Sequence, residues 1–391
     1  MLFNTIDFVI FFVFVLAIVV IIKNKTYQHL FILGASYFFF YYTSNYLVVL
    51  LIVSTLLDYF VAKEIWNSKS QSRKKILLII SLAGNLGLLG FFKYADFAIL
   101  QFNILGQNMN FGGDIPFLNL ALPIGISFYT FQTISYTIDV YRGKLEPSKS
   151  LKEFALFIAF FPQLVAGPIV RASEFLPQLR EKIDKFETGV KLRQIVLNNT
   201  HFKLGITMIA FGFLKKMFFA DNIAPMVNMA FDNPIGLESF TIVLATIGFG
   251  IQVYGDFSGY SDIAIGAALI LGFKLPINFN KPFFATSPAD FWRRWHISLS
   301  NWVRDYLFFP IVHRNIGSDA QLIFGAMITF LLLGLWHGAG WNFIFFGLIH
   351  GIYVTIEVVI RKKIPKARNN PFFKHRFGKI LAIFGTQYLI F

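Results

Sequence analysis

The chain has 391 residues, is 56% hydrophobic, only 14% charged, and carries a formal net charge of +14. Soluble domains are roughly 25% charged; here the mean hydropathy is +0.61, and several uncharged apolar runs approach or exceed the roughly 18 residues that cross a bilayer. That excludes a soluble enzyme and predicts an all-α polytopic membrane protein, whose positive charges, as in "KEIWNSKSQSRKK" (63–75) and "RKKIPKARNNPFFKHRFGK" (361–379), sit in short loops that set topology rather than bind nucleic acid.

The first run, "IDFVIFFVFVLAIVVII", has no basic residues before it and no small-residue cleavage site after it. It reads as a retained span, not a secretory signal. With basic loops placed in the cytoplasm, the N-terminus lies outside and "KNKTYQ" inside. His29 to Tyr42 goes out, "TSN" turns, and Tyr46 to Ala62 returns to the basic loop. Ile76 to Phe92 goes out again, and "GQNMNFGGDIP" (106–116) is outside. "FLNLALPIGISFYTFQTISYTIDV" (117–140) comes back to the basic "YRGKLEPSKSLK" (141–152).

"EFALFIAFFPQLVAGPIVR" (153–171) carries Pro162, Gly167 and Pro168 and is followed by a basic loop, 171–193. Prolines free backbone carbonyls that lipid does not tolerate, so a re-entrant segment is expected. Residues 204–220 and 239–272 hold two or three further spans, and 278–312 is amphipathic and rich in Trp and Arg. Residues 321–337 and 341–360 are two spans joined at "GAG". The last run, 380–391, is too short to cross and stops in mid-run, so the chain is either shortened at its C-terminus or ends unusually. The expectation is one integral membrane domain over 1–391, with about 8–11 transmembrane helices plus re-entrant segments.

Cysteine is absent, so disulfides, Cys–zinc sites and an acyl-cysteine intermediate are excluded. The 50 phenylalanines read as packing. Titratable groups inside lipid cost roughly 2.5–3.5 kcal/mol on insertion scales and usually serve a function. His337, in "GLWHGAG", is the first of these. A helix from Gln321 to His337 climbs about 24 Å, and one continuing to Ile360 would reach about 60 Å, twice the bilayer core. The chain must break, and Gly338 and Gly340 mark the place. The plain reading is a packing histidine; the functional one is an imidazole to which glycines give access.

His296 lies in "DFWRRWHISLSNWVRDYLFFP" (290–310), where a helix would put Arg293, Ser300 and Arg304 in one arc beside a Trp292, His296, Leu299, Val303 stripe. That is either an interfacial helix with snorkelling arginines or a cationic wall for a phosphate-bearing donor. Five of the six tryptophans lie between 292 and 341. Asp256 and Asp262 read as a structural network with Tyr254, Ser258, Tyr260 or an arginine of 293–304. His29, His201, His313, His350 and His375 are assigned packing or loop roles. No Gly-rich phosphate loop, H-E-x-x-H or G-x-S-x-G is present, and two histidines 41 residues apart specify no metal site. What remains is His-centred acid–base chemistry on an oxygen nucleophile.

"LPIGISFYTFQTISYTIDVYRG" (122–143), "FPQLVAGPIVR" (161–171), "GDFSGYSDIAIGAALILGFKLPINFNKPF" (255–283), "FWRRWHISLSNWVRDYLFFP" (291–310) and "LLLGLWHGAGWNFIFFGLIHG" (331–351) resemble the membrane-bound O-acyltransferases. Within that family they are most similar to the bacterial branch that O-acetylates cell-envelope polysaccharides such as alginate or peptidoglycan. The resemblance runs from the N-terminus to about residue 355. It matches the family's near-universal histidine to His337 and the second, in "RWH", to His296. Members of the acetyl branch usually continue for further spans, where this chain stops at Phe391.

The resemblance implies acetyl transfer from cytoplasmic acetyl-CoA toward polymer hydroxyls outside, with no bound cofactor. His337 would be the general base. His296, Trp295 or Trp336 would supply an oxyanion donor, and Arg293, Arg294 and Arg304 would hold the donor phosphates. A separate extracytoplasmic SGNH-type partner is the expected relay to the polysaccharide. D-alanyl transfer to teichoic acid, a secondary transporter and an idle scaffold are the competing readings.

Overall fold

The computed structural model describes residues 1–109, 114–165, 167–186, 199–312, 318–363 and 375–390. His313 and parts of the 106–116, 171–193 and 361–379 loops lie outside the described residues. Every regular element among the described residues is helical, as lipid requires of a chain that must satisfy its backbone within each segment. Among the described residues, five helical stretches are long and apolar enough to cross a membrane: Thr26–Asn67, Gln71–Asn108, Ser239–Ile270, Asp319–His337 and Trp341–Lys363. The first contains two helices joined by a turn at Asn45–Leu47. The protein is therefore an all-α, multi-pass membrane protein.

The helices group into two compact units. The first holds residues 1–89 and 123–277. It contains α1 (Ile6–Ile21), α2 (Lys25–Ser44), α3 (Val48–Asn67) and the first half of α4 (Gln71–Asn108). It continues with α5 (Ile126–Tyr141), α6 (Leu151–Ala159), α7 (Phe161–Leu164), α8 (Ala172–Phe186), α9 (Asn199–Phe213), α10 (Asp221–Asp232) and α11 (Ser239–Ile270). Polar side chains start several of these. Asn24 Oδ1 accepts from the Thr26 and Tyr27 amides at 2.9 and 3.3 Å, and Ser150 Oγ from the Glu153 amide at 3.4 Å. Such caps replace bonds that the first helical turn lacks.

Three expectations change here. The run beginning at Ile76 does not end near Phe92, because α4 continues through the polar "KYAD" to Asn108. The returning span starts only at α5, since Gly125 turns the chain with φ 78° and an added Cβ would lie 2.2 Å from the Leu164 carbonyl oxygen. Residues 172–186, expected as loop, form α8. The proline-bearing 153–171 segment is broken at Phe160, between α6 and α7, and residues 154–164 are buried. The groups freed there find partners: the Phe161 amide donates to Ser36 Oγ at 3.2 Å, and Gln163 Nε2 donates to the Phe157 carbonyl. Phenylalanines fill the surroundings, with Phe160 5.0 Å from Phe273 and Phe175 stacked on Phe273 at 5.2 Å.

The second unit holds residues 90–122 and 278–391. Besides the rest of α4 it contains α12 (Pro288–Trp292), α13 (Ile297–Val303), α14 (Phe309–Val312), α15 (Asp319–His337), α16 (Trp341–Lys363) and α17 (Arg376–Ile390). The expected single helix over 290–310 is in fact α12 and α13 separated by a turn, followed by a π-helical turn at Arg304–Phe308.

Candidate functional site

The hairpin of α15 and α16 carries His337. Ser318 caps α15, its Oγ accepting from the Gln321 amide at 3.2 Å. The helix stops because Gly338 is fully extended, with φ −167° and ψ 163°. Gly340 then starts α16, its carbonyl accepting from the Phe343 amide at 3.2 Å. Gly334 brings the helices into backbone contact, since a Cβ there would lie 2.2 Å from the Phe343 carbonyl oxygen. Close approach through small residues is the usual packing device in membranes. Gly338 faces the Phe343 ring, where a Cβ would clash.

The break therefore lies where the sequence places it, and the His337 side chain ends up exposed. Its ring is flanked by Trp336, with centroids 4.9 Å apart, and by Phe346 at 5.4 Å. Among the described residues the ring makes no hydrogen bond, so a nitrogen is available to an acceptor. The carbonyls ahead of it are held. Lys93 Nζ, from α4, donates to the Trp336 carbonyl, and Tyr94 Oη donates to the Leu335 carbonyl at 2.6 Å.

His296 sits in the turn between α12 and α13. Three bonds from residues 278–280 hold that turn: the Ile297 amide to the Asn278 carbonyl at 2.9 Å, Ser298 Oγ to Asn278 Oδ1 at 2.6 Å, and the Asn280 amide to the Arg294 carbonyl at 2.9 Å. His296 itself is left-handed, φ 43° and ψ 57°, a conformation that costs a non-glycine residue of order 1 kcal/mol or more and gathers at functional sites. It is 2% exposed, and its ring lies 6.1 Å from that of Trp336, which thus stands against both histidines. Burial, and secondarily the His337 ring, pushes the His296 imidazole well below its ordinary value.

A cavity of about 460 Å³ opens between α12, α13, the π-turn, α15 and α16. Its wall is apolar, from Ile297, Val303, Leu322, Phe330, Leu333 and Val358. Arg293 and Arg304 also line it, and both are half exposed, paired to Asp290 at 3.5 Å and Asp305 at 2.8 Å. Three buried polar atoms on lining residues have no partner among the described residues: Trp292 Nε1, Thr329 Oγ1 and Thr355 Oγ1. Native proteins rarely leave such groups unmet without a reason. Leu333, on the lining, lies one turn before His337 in α15.

Of the residues singled out from sequence, Arg293 and Arg304 line the cavity, His296 and His337 meet on either side of Trp336, and Gly338 and Gly340 form the break after His337; neither histidine lines the cavity. Arg294 is not among the cavity-lining residues; its Nε bonds Asp290 at 3.0 Å. Trp295 packs instead, stacked on Phe291 at 5.4 Å and edge-on to Phe279 at 5.1 Å. Asp256 and Asp262 belong to the first unit, and their ion-pair partners are lysines: Lys216 to Asp256 at 2.6 Å and Lys215 to Asp262 at 2.5 Å. The sequence reading proposed neither lysine. A π-helical turn at Leu214–Ala220 carries both toward α11, which no pattern announces. His350, assigned a packing role, lies within α16 and is buried. It is 3% exposed, lies 4.4 Å from Phe346 and 5.3 Å from Trp292, and its Nδ1 has no partner among the described residues.

Missed altogether were Lys93, Tyr94, Thr329 and Thr355. Lys93 gave the same signal as His337, a titratable group inside an apolar run, in "LLGFFKYADF". The threonines gave none.

A family profile described as MBOAT, membrane-bound O-acyltransferase family, matches residues 145–389. The chain belongs to the membrane-bound O-acyltransferase family. It is 36% identical over 359 residues to a peptidoglycan O-acetyltransferase of Helicobacter pylori, covering 86% of this chain and 65% of the relative. It is 37% identical over 344 residues to a probable alginate O-acetylase AlgI of Azotobacter vinelandii, covering 86% and 64%. A teichoic acid D-alanyltransferase of Streptococcus thermophilus is more distant, at 29% over 323 residues, 76% of this chain and 72% of the relative. The chain thus spans a little under two thirds of the length of the acetylating relatives named here.

Proposed function

We propose that this O-acyltransferase family member moves an acetyl group from cytoplasmic acetyl-CoA toward hydroxyls of a cell-envelope polysaccharide, peptidoglycan or an alginate-like polymer. The protein sits in the bacterial inner membrane with its N-terminus outside, and a separate extracytoplasmic SGNH-type partner completes delivery. The observation that carries this reading is the open His337 ring at a glycine break, in the same unit as an apolar cavity lined by Arg293 and Arg304. Greater identity to O-acetylating relatives than to a D-alanyl-transferring one supports the acetyl group.

In the proposed reaction the arginines hold donor phosphates, as guanidinium forks do, and the acyl arm lies along the cavity wall. A neutral His337 nitrogen takes the proton of the acceptor hydroxyl as its oxygen attacks the thioester carbonyl. The C–O bond forms, the C–S bond breaks, and the CoA thiol leaves with the proton. His296 or the Trp336 indole donates to the developing oxyanion. Arg294 contributes through Asp290 to the shape of the donor wall, and Trp295 supports it by packing.

The test is base-labile acetate released from purified envelope polysaccharide of cells making wild-type protein, His337→Ala, or His201→Ala as an insertion control. Acetate falling only with His337→Ala is the expected result. Unchanged acetate with altered ester-linked D-alanine would move the reading to the D-alanyl branch, and no change in either ester would remove the acyl-transfer reading.

A further inference from the structure

α15 ends in the middle of an apolar hairpin, so its last carbonyls have no amides to accept from. In lipid no water replaces those donors. The two carbonyls immediately before His337 are nevertheless both met, by consecutive residues of one helix: Lys93 Nζ on Trp336 and Tyr94 Oη on Leu335. A lysine within a span is costly to insert, and a neutral donor such as Gln would satisfy a carbonyl without that cost. The ammonium lies 5.5 Å from the centroid of the Trp336 ring, close enough for a cation–π contact. It also lies near enough to the His337 ring for an electrostatic interaction. A cation at the carbonyl end of a helix is favourable in itself. Lys93, Tyr94 and His337 all belong to the second unit.

We infer that Lys93 is a positioning residue for His337: with Tyr94 it clamps the Leu335 and Trp336 carbonyls, fixing where α15 stops and hence where the imidazole points. The clamp reaches His337 through one peptide unit, so a shift of the helix end moves the ring directly. The inference rests on the proposed role of His337 as the working histidine, but its geometry is testable without turnover.

The experiment uses the full chain in lipid nanodiscs. Diethyl pyrocarbonate modifies histidine rings, and mass spectrometry of the resulting peptides gives a rate for His337, with exposed His375 as the internal reference. Lys93→Met should change the His337 rate at least fivefold and leave His375 unchanged. Lys93→Arg, which keeps a cationic donor, should restore most of the wild-type rate, and Tyr94→Phe should fall between. Acetyl transfer by the same samples should drop about tenfold in kcat for Lys93→Met with KM for acetyl-CoA unchanged. A His337 rate unaltered in Lys93→Met overturns the clamp whatever the enzyme's activity. Altered His337 reactivity in a protein that never transfers acetyl, wild type included, leaves the clamp standing and removes the acetyl reading instead. If Lys93→Met does not yield monodisperse protein, the Arg and Phe variants carry the comparison: both matching wild type in His337 rate and turnover would overturn it.

Discussion

Asp58 and His337 are both polar groups set in apolar helices, and their surroundings differ in kind. Asp58, on α3, is 0% exposed. One carboxylate oxygen accepts from Ser81 Oγ and, at 2.7 Å, from Thr137 Oγ1, while the other accepts from Asn85 Nδ2 at 2.6 Å. Asn85 Oδ1 in turn accepts from Ser54 and Thr133 at 2.6 and 3.2 Å. The network closes on itself across α3, α4 and α5. At His337 the ring is open, and in the same unit Trp292, Thr329, Thr355 and His350 each keep a polar atom with no partner among the described residues. A saturated polar cluster holds helices together and has nothing left for a ligand. An unsaturated one carries a desolvation cost of about 1–3 kcal/mol per group, which a ligand's arrival would remove.

If that contrast is sound, the two sites break differently. The largest effect is expected at His337, where loss of a general base typically lowers rate by about 10²–10⁴. His337→Ala should lose that factor in acetyl release while its melting temperature in detergent stays near wild type. Asp58→Ala should do the reverse, stranding three buried donors at a cost of at least about 3 kcal/mol in unfolding free energy. Its residual folded fraction should turn over normally, as measured by activity normalised to monodisperse protein. Normal turnover in His337→Ala, or a catalytic defect in well-folded Asp58→Ala, would dissolve the distinction.

Gly334 tests whether the hairpin geometry matters to the open site. Gly334→Ala forces a Cβ against the Phe343 carbonyl, and overpacking of this sort costs about 1–3 kcal/mol. Since α15 and α16 must part to admit it, turnover should fall with stability. Loss of stability without any change in kcat would show that the break tolerates a displaced α16.

The contrast also explains what was legible in the sequence. A histidine with glycines around it, in a run too long to be one helix, announces itself, so His337 and the break were readable. Lys93 and Asp58 stand in apolar runs just as plainly, but a span that ends at Phe92 leaves Lys93 outside it, whereas α4 runs on to Asn108. The 290–310 segment has helical spacing, so Arg293, Ser300 and Arg304 were grouped correctly, and all three line the cavity. The helix that grouped them does not exist as one piece, because Asn278 and Asn280 pull the chain into a left-handed turn at His296. That bond pattern is tertiary and leaves no local trace. The same holds for the π-turn that delivers Lys215 and Lys216 to Asp262 and Asp256.

His296 gives a smaller, pH-dependent test. Its folded value lies below the ordinary one, so at acid pH the unfolded chain binds a proton that the folded chain refuses. Stability should therefore fall as pH drops below about 6.5, by at most about 1.4 kcal/mol per pH unit from this group. The His296→Gln variant should flatten that slope in thermal melts recorded from pH 7.5 to 5. An unchanged slope would assign the acid sensitivity to other groups and leave the turn between α12 and α13 without a titrating element.

The smallest expected effect separates the two kinds of polar site most finely. Thr329 Oγ1 is buried, lines the cavity and has no partner among the described residues. Thr329→Val keeps the shape and removes the hydroxyl. In a closed network such as that of Asp58, deleting a hydroxyl strands its partner and lowers stability. Here no described partner is stranded, so stability should hold or rise slightly, by under about 1 kcal/mol in a detergent melt, because the cost of burying an unmet hydroxyl disappears. If the cavity holds the donor arm, the same change should raise KM for acetyl-CoA a few-fold with kcat held, the pattern of a lost interaction common to ground and transition states. A gain in stability with KM unmoved would make the cavity a packing void, and the two arginines beside it would then need another ligand.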